Sequence, residues 1–203
     1  MKLYYLQGAC PLTIQIALEW MEQPYELEEV AFEELKSPNF LALNPLGSVP
    51  VFIDEGFVLT QCVAILEYLY EKYPGSGLLG DTLQERADAR RWLNFCNSDL
   101  HRTFSMVFGV GFYSEDPAIQ ELLINKTIER LKFLFEVADK QLEGKDYLIG
   151  KRTYADAYLY VLLTWTKMKE IDLSSLKNIE RFFERMSADP AVRTAREKQG
   201  LPV

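Results

Sequence analysis

Histidine is nearly absent from this 203-residue chain, with one copy at His101. Its three cysteines, Cys10, Cys62 and Cys96, are too few and too widely spaced for a disulfide framework. They also lack the paired spacing of a zinc site, so no metal cofactor is expected. No basic run is longer than Arg90-Arg91, and the net charge is −8. The positive footprint that nucleic-acid binding requires is therefore missing, and nucleic acid is not expected as a partner. The longest apolar run, around Tyr158 to Trp165, falls far short of the roughly 20 residues that cross a bilayer. Glu19 and Glu22 interrupt the stretch after Met1-Lys2-Leu3-Tyr4-Tyr5, and no export signal is visible. A soluble cytoplasmic protein, with no membrane partner, is the expectation.

What is present is ordinary globular material, 48% hydrophobic and 26% charged. Leu3 to Leu6 form a short aromatic-rich run that ends in Gly8-Ala9-Cys10-Pro11, a turn followed by a helix-compatible proline. Ile14, Ala17, Leu18 and Met21 then keep helical spacing until Gln23-Pro24 stops it. A second strand is read at Tyr25, Leu27 and Val30, and a short helix from Pro38 to Leu43. A third strand is read at Val49 to Ile53, its hairpin partner at Phe57 to Leu59 and a helix from Gln61 to about Tyr73. The order is βαβαββα over residues 1–76. Pro74-Gly75-Ser76-Gly77 reads as a linker, and residues 82–203 read as an all-helical domain. Its helices are expected over 82–112, 117–143 and 153–169, with shorter ones near 175–187 and 190–198. Thr153-Tyr154-Ala155-Asp156 reads as a capping box, and the apolar residues after it place that helix in the middle of a bundle.

Pro11 suits the first position of a helix, so Cys10 falls at or beside the N-cap, where free N–H groups and the helix dipole favour an anion. A thiol there is favoured as the nucleophilic thiolate; the alternative is a buried, inert cysteine. Cys10-Pro11-Leu12-Thr13 occupies the place of a redox Cys-x-x-Cys but ends in threonine, so an internal disulfide cycle is not expected. A lone thiolate still attacks a disulfide and holds a small thiol as a mixed disulfide. A cis Val49-Pro50 bond would turn the Val49 backbone outward to pair with an extended peptide; an edge proline is the alternative. Thr60-Gln61-Cys62 opens a helix whose N–H groups suit a carboxylate, or are simply capped by Thr60. His101 lies in an unusually polar stretch, Asn94 to Arg102, and is either a satisfied histidine or a site residue facing the Cys10 turn. Phe104, Phe108, Phe112 and Tyr113 are candidate walls of an apolar pocket, or core.

Together these pieces resemble the glutathione transferases, most closely the bacterial beta class, over nearly the whole chain. The resemblance rests on Lys2-Leu3-Tyr4-Tyr5 with Gly8-Ala9-Cys10, on Leu41 to Val51, and on Leu59-Thr60 with Val63-Ala64-Ile65. In the second half it rests on Trp92-Leu93-Asn94, His101 and Thr153 to Leu159. It implies a thioredoxin-like N-terminal domain, an all-helical C-terminal domain and a homodimer, with glutathione as co-substrate and a hydrophobic electrophile or disulfide as acceptor. By the resemblance, glutathione pairs with Val49 beside cis-Pro50, places its γ-glutamyl end at Gln61 and Cys62 and brings its sulfur to Cys10. Asn94, Asp99 and His101 line or border the site, some from the neighbouring subunit, and Lys36 is the candidate for the glycyl carboxylate. Tyr5 and His101 are the next catalytic candidates after Cys10. Gln61-Cys62 replaces an acidic residue followed by a small one, which implies weaker glutathione binding. Pro11 replaces a common serine, and Arg152 stands where an apolar staple residue is usual. A non-catalytic binding or regulatory protein on the same fold is the alternative reading.

Overall fold

The computed structural model describes residues 1–203. The first part contains β1 (Lys2–Tyr5), α1 (Pro11–Trp20), β2 (Glu26–Glu29), α2 (Pro38–Leu43), β3 (Val51–Asp54), β4 (Phe57–Thr60) and α3 (Cys62–Lys72). The strands lie in the order β2-β1-β3-β4, with β1 parallel to β2 and antiparallel to β3, and β3 antiparallel to β4. Leu3 faces Phe52 across the β1–β3 ladder. Because side chains alternate along a strand, Leu3 enters the main core while Tyr4 turns to the other face and meets Phe40 edge-on. This is the thioredoxin-like arrangement expected, with one addition: a 3-10 segment at Phe32–Lys36 precedes α2.

The helical part contains α4 (Leu83–Asn94), α5 (Arg102–Gly109), α6 (Pro117–Gln141), α7 (Tyr154–Met168), α8 (Lys177–Ala188) and α9 (Pro190–Lys198). The continuous helix expected over 82–112 is a correction. A π-helix at Phe95–His101 separates α4 from α5, and a 3-10 turn follows at Val110–Phe112. A π turn takes in an extra residue and re-phases the buried face. Cys96 and Leu100 stay in the core, while Asn97 and His101 both reach the Tyr158 hydroxyl.

Helix α7 is buried nearly all round, as its composition predicts. Its cap is the expected capping box. Asp156 accepts from the Thr153 N–H at 2.7 Å and also from the Thr153 hydroxyl at 2.9 Å. Its other oxygen takes the Leu148 N–H at 2.8 Å. Burial pushes the Asp156 carboxyl up to about 6. Arg152, in the staple position, stacks its guanidinium over the Trp20 ring at 4.7 Å and pairs with Asp189 at 3.3 Å.

The linker is tied down: Pro74–Ser76 is a 3-10 turn, Leu78 and Leu79 are buried, and the Tyr154 N–H donates to the Leu78 carbonyl at 2.9 Å. One core of 43 buried residues runs through α1, α3, α4 and α7, and so through both parts of the chain.

Candidate functional site

Cys10 stands at the N-cap of α1 in a helical conformation (φ −56°), with Pro11 as the first helical residue. Its thiol lies 3.8 Å from the Val49 carbonyl. The Val49-Pro50 bond is cis, and no group of the chain takes the Val49 N–H. At the start of α3, Gln61 is exposed and holds φ +74°, in the left-handed region that a side chain rarely occupies. Strain of this kind, costing about 1–3 kcal/mol, concentrates at functional sites. Thr60 ends β4 and does not cap α3, whose N-cap residue Gln61 makes no side-chain cap bond. Cys62 is buried as the first residue of α3, and its thiol donates to the Cys10 carbonyl at 3.8 Å. The Cys10 thiol beside it, and then burial, push the Cys62 thiol well up.

Lys36 is exposed, and its ammonium donates to the Leu46 carbonyl at 2.9 Å, on the loop that leads to Val49. The tight approach needs Gly47 at φ +58°: a Cβ there would lie 2.6 Å from the Leu35 carbonyl and 2.7 Å from Lys36 Nζ.

His101 sits behind the turn rather than against it. Its Nδ1 is 2.6 Å from the Tyr158 hydroxyl, which donates to Asn97 Oδ1 at 3.0 Å. Both bonds are satisfied when Nδ1–H donates to Tyr158. Burial pushes His101 down to about 4, so it is neutral near pH 7. Its ring packs edge-on against Trp165 at 4.9 Å, and the Trp165 indole N–H donates to the Gly8 carbonyl at 2.8 Å. His101 is thus tied to the Cys10 turn through Trp165.

The other candidates lie apart from this group. Asn94 is exposed and donates back to the Arg90 carbonyl at 2.9 Å. Asp99 is exposed as well. Tyr5 is 6% exposed and makes no bond to Cys10; burial and then Glu29 push its hydroxyl up. Of the four aromatic wall candidates, Phe104 is fully buried core. Phe108 is half-exposed and packs at right angles on Trp165, 5.3 Å away. Phe112 and Tyr113 are exposed.

The sequence reading missed the clasp on Gly8. Gln199 Oε1 accepts the Gly8 N–H at 2.9 Å while Trp165 holds its carbonyl, so both polar groups of the residue two before Cys10 are fixed by the helical part. Gln199 also donates to Gln15 at 2.7 Å, and its own carbonyl accepts from Gln7 at 2.7 Å. Residues separated by 191 positions leave no local pattern that could have revealed this pair. A buried glutamine is unusual enough to be a hint only after burial is known.

The chain matches the family models described as "Glutathione S-transferase, N-terminal domain" over residues 1–71 and "Glutathione S-transferase, C-terminal domain" over residues 103–190. It is 41% identical over 203 residues to glutathione S-transferase GST-4.5 of Xanthomonas campestris pv. campestris, covering 99% of this chain and 100% of the relative. The solved glutathione S-transferase from Xylella fastidiosa is 41% identical, covers 99% of each chain and superposes with a TM-score of 0.95. A bacterial beta class enzyme from Sphingomonas chungbukensis is 29% identical, covers 100% of each chain and gives a TM-score of 0.87. With both models matched in order and a relative of this identity aligned end to end, the chain belongs to the glutathione S-transferase family.

Proposed function

We propose that Cys10 is the residue at which this glutathione transferase handles the glutathione sulfur, in conjugation to hydrophobic electrophiles and in thiol-disulfide exchange. The observation that carries this is the convergence of two helix starts and one free peptide edge: Cys10 at the head of α1, Gln61 and Cys62 at the head of α3, and Val49 between them. An extended tripeptide pairs its cysteinyl backbone with Val49 beside Pro50 and rests its γ-glutamyl carboxylate on the N–H groups that open α3. The Gln61 amide meets the γ-glutamyl end, and Lys36 has ammonium protons beyond its bond to Leu46 for the glycyl carboxylate. In conjugation the glutathione thiolate, favoured by the dipole of α1, attacks the electrophile and expels its leaving group; in exchange the Cys10 thiolate attacks a disulfide sulfur and expels the other sulfur as a thiolate.

In this reading the glutathione domain is residues 1–76 and the helical domain residues 82–203. The acceptor lies over Phe108 and Trp165, beside the clasped Gly8. Asn94 and Asp99, which face solvent in one chain, belong to the site across a homodimer. His101 acts as a neutral hydrogen-bonding support rather than as a cation, and Tyr5 is a packing residue.

The test is retention on immobilised glutathione combined with turnover of a generic aryl halide, for the natural chain and for Cys10→Ala. Retention with turnover in the natural chain and loss of disulfide exchange in the variant are expected. Full transferase and exchange activity in Cys10→Ala would remove Cys10 from the chemistry.

A further inference from the structure

Thr13 is fully buried where a redox pair would place its second cysteine, so the first turn of α1 offers Cys10 no partner. The fold supplies one from elsewhere. Cys62, 52 positions away, is the first residue of α3, and its thiol donates to the Cys10 carbonyl at 3.8 Å. Both cysteines are free thiols, 7% and 4% exposed, and the Cys62 sulfur reaches the backbone of Cys10 itself. The third cysteine is occupied differently: the Cys96 thiol donates to the Ala155 carbonyl at 3.8 Å within the core.

We propose that Cys62 is a resolving thiol, which attacks the mixed disulfide formed on Cys10 and closes a Cys10–Cys62 disulfide, giving the site a dithiol activity toward small disulfides. The inference rests on the reading of Cys10 as the nucleophile. In the first step the Cys10 thiolate attacks one sulfur of a small disulfide such as oxidised glutathione. A Cys10–glutathione bond forms, the substrate bond breaks, and one glutathione leaves as its thiolate. In the second step the Cys62 sulfur attacks Cys10 Sγ, the Cys10–glutathione bond breaks, and the proton of Cys62 passes to the departing glutathione. Counting the proton that Cys10 gave up on ionising, which the first glutathione thiolate takes up, the chain loses two electrons and two protons, and the substrate is reduced to two thiols. Reduction by two molecules of thiol runs the sequence backwards.

The order of events follows from the pairing. Two adjacent thiols do not readily ionise together. Cys10 has the helix dipole, and the largest influence holding Cys62 protonated is Cys10 itself, ahead of burial. Once Cys10 is bound in a disulfide it carries no charge, and that restraint on Cys62 is gone.

The experiment treats the reduced full chain with oxidised glutathione or with an aromatic disulfide that releases a coloured thiolate. Intact mass and peptide mapping follow, in parallel with Cys62→Ser and Cys96→Ala. For the natural chain and Cys96→Ala the expected result is two thiols released per chain, an intact mass lower by two hydrogens, and Cys10 and Cys62 joined in one peptide pair. Cys62→Ser should release one thiol and keep one adduct on Cys10. Ring closure with the aromatic disulfide and no reaction at all with oxidised glutathione would leave the proposal standing and sink the glutathione reading instead. A natural chain that keeps a stable single adduct on Cys10 with both disulfides, or a crosslink that joins Cys96, would overturn the proposal.

Discussion

Cys62 and Cys96 are both held as thiols, the first by the Cys10 sulfur and burial, the second by burial followed by Asp156 and Asp99. Cys10 is the N-cap residue of α1, one position before its first helical residue, whereas Cys62 already lies inside the first turn of α3 and Cys96 lies in the core. Brief iodoacetamide treatment at pH 7 should therefore label Cys10 before the other two, read by peptide mass mapping. Equal labelling of Cys10 and Cys96 would refute the thiolate assignment. Gln61 is exposed and packs against little, so Gln61→Ala should weaken glutathione binding without unfolding the chain. The cost of one such hydrogen bond is about 0.5–1.5 kcal/mol, and an unchanged dissociation constant by calorimetry would take Gln61 out of the site. His101 gives a pH signature. Its ordinary value of 6.5 falls to about 4 in the fold, so on acidification the unfolded chain takes up the proton first. Its contribution to stability is full above about pH 6.5 and is lost as pH falls towards 4, by at most about 3 kcal/mol. Asp156, raised to about 6, changes stability in the opposite sense over nearly the same range. The difference between natural chain and His101→Gln in urea melts cancels that contribution. It should shrink between pH 7 and pH 4.5; a constant difference would mean that His101 is not buried as the neutral form.

At the scale of elements, the π segment and the last helix do work that neither the N-terminal sheet nor α1 could do alone. The π turn lets one helix keep Cys96 in the core and still send Asn97 and His101 to Tyr158. Helix α9 delivers Gln199 to the Gly8 N–H and to Gln15. Gln199→Ala would leave the Gly8 N–H and a buried Gln15 amide unpaired, at about 1–3 kcal/mol for a buried donor. The turn that aims Cys10 would loosen with it. The expected result is a lower melting temperature together with a reduced kcat at saturating glutathione. A lower melting temperature with unchanged kcat would limit Gln199 to packing. The Asp156 cap is sharper still: its carboxylate serves two donors from Thr153 and one from Leu148 while fully buried. Asp156→Ala should cost about 2–4 kcal/mol in denaturant melts by orphaning those donors.

At the scale of the whole molecule, Asn94 and Asp99 face solvent, and α6 carries Ile119, Leu122, Phe133 and Val137 on its exposed surface. A homodimer that joins the long helices near Asp99 covers such a surface, and sedimentation at micromolar concentration should show a dimer; a monomer there would count against the shared site. What the sequence by itself determined was whatever short-range chemistry encodes. The strand and helix order came from residue periodicity, the turn before α1 from Gly8 to Pro11, the cap of α7 from Thr153 and Asp156, and the place of Cys10 at the head of α1 from its neighbour Pro11. The cis Val49-Pro50 bond was legible because proline at a strand start narrows the choices. The break in the long helix was not, because π and α turns share one pattern of apolar residues and differ only in which tertiary partners the extra residue must meet. The tertiary structure decided the partners: Cys62 beneath Cys10, Gln199 and Trp165 on the two sides of Gly8, and His101 one shell behind. Each joins residues far apart in the chain, and burial, which no local spacing records, is what makes those contacts matter.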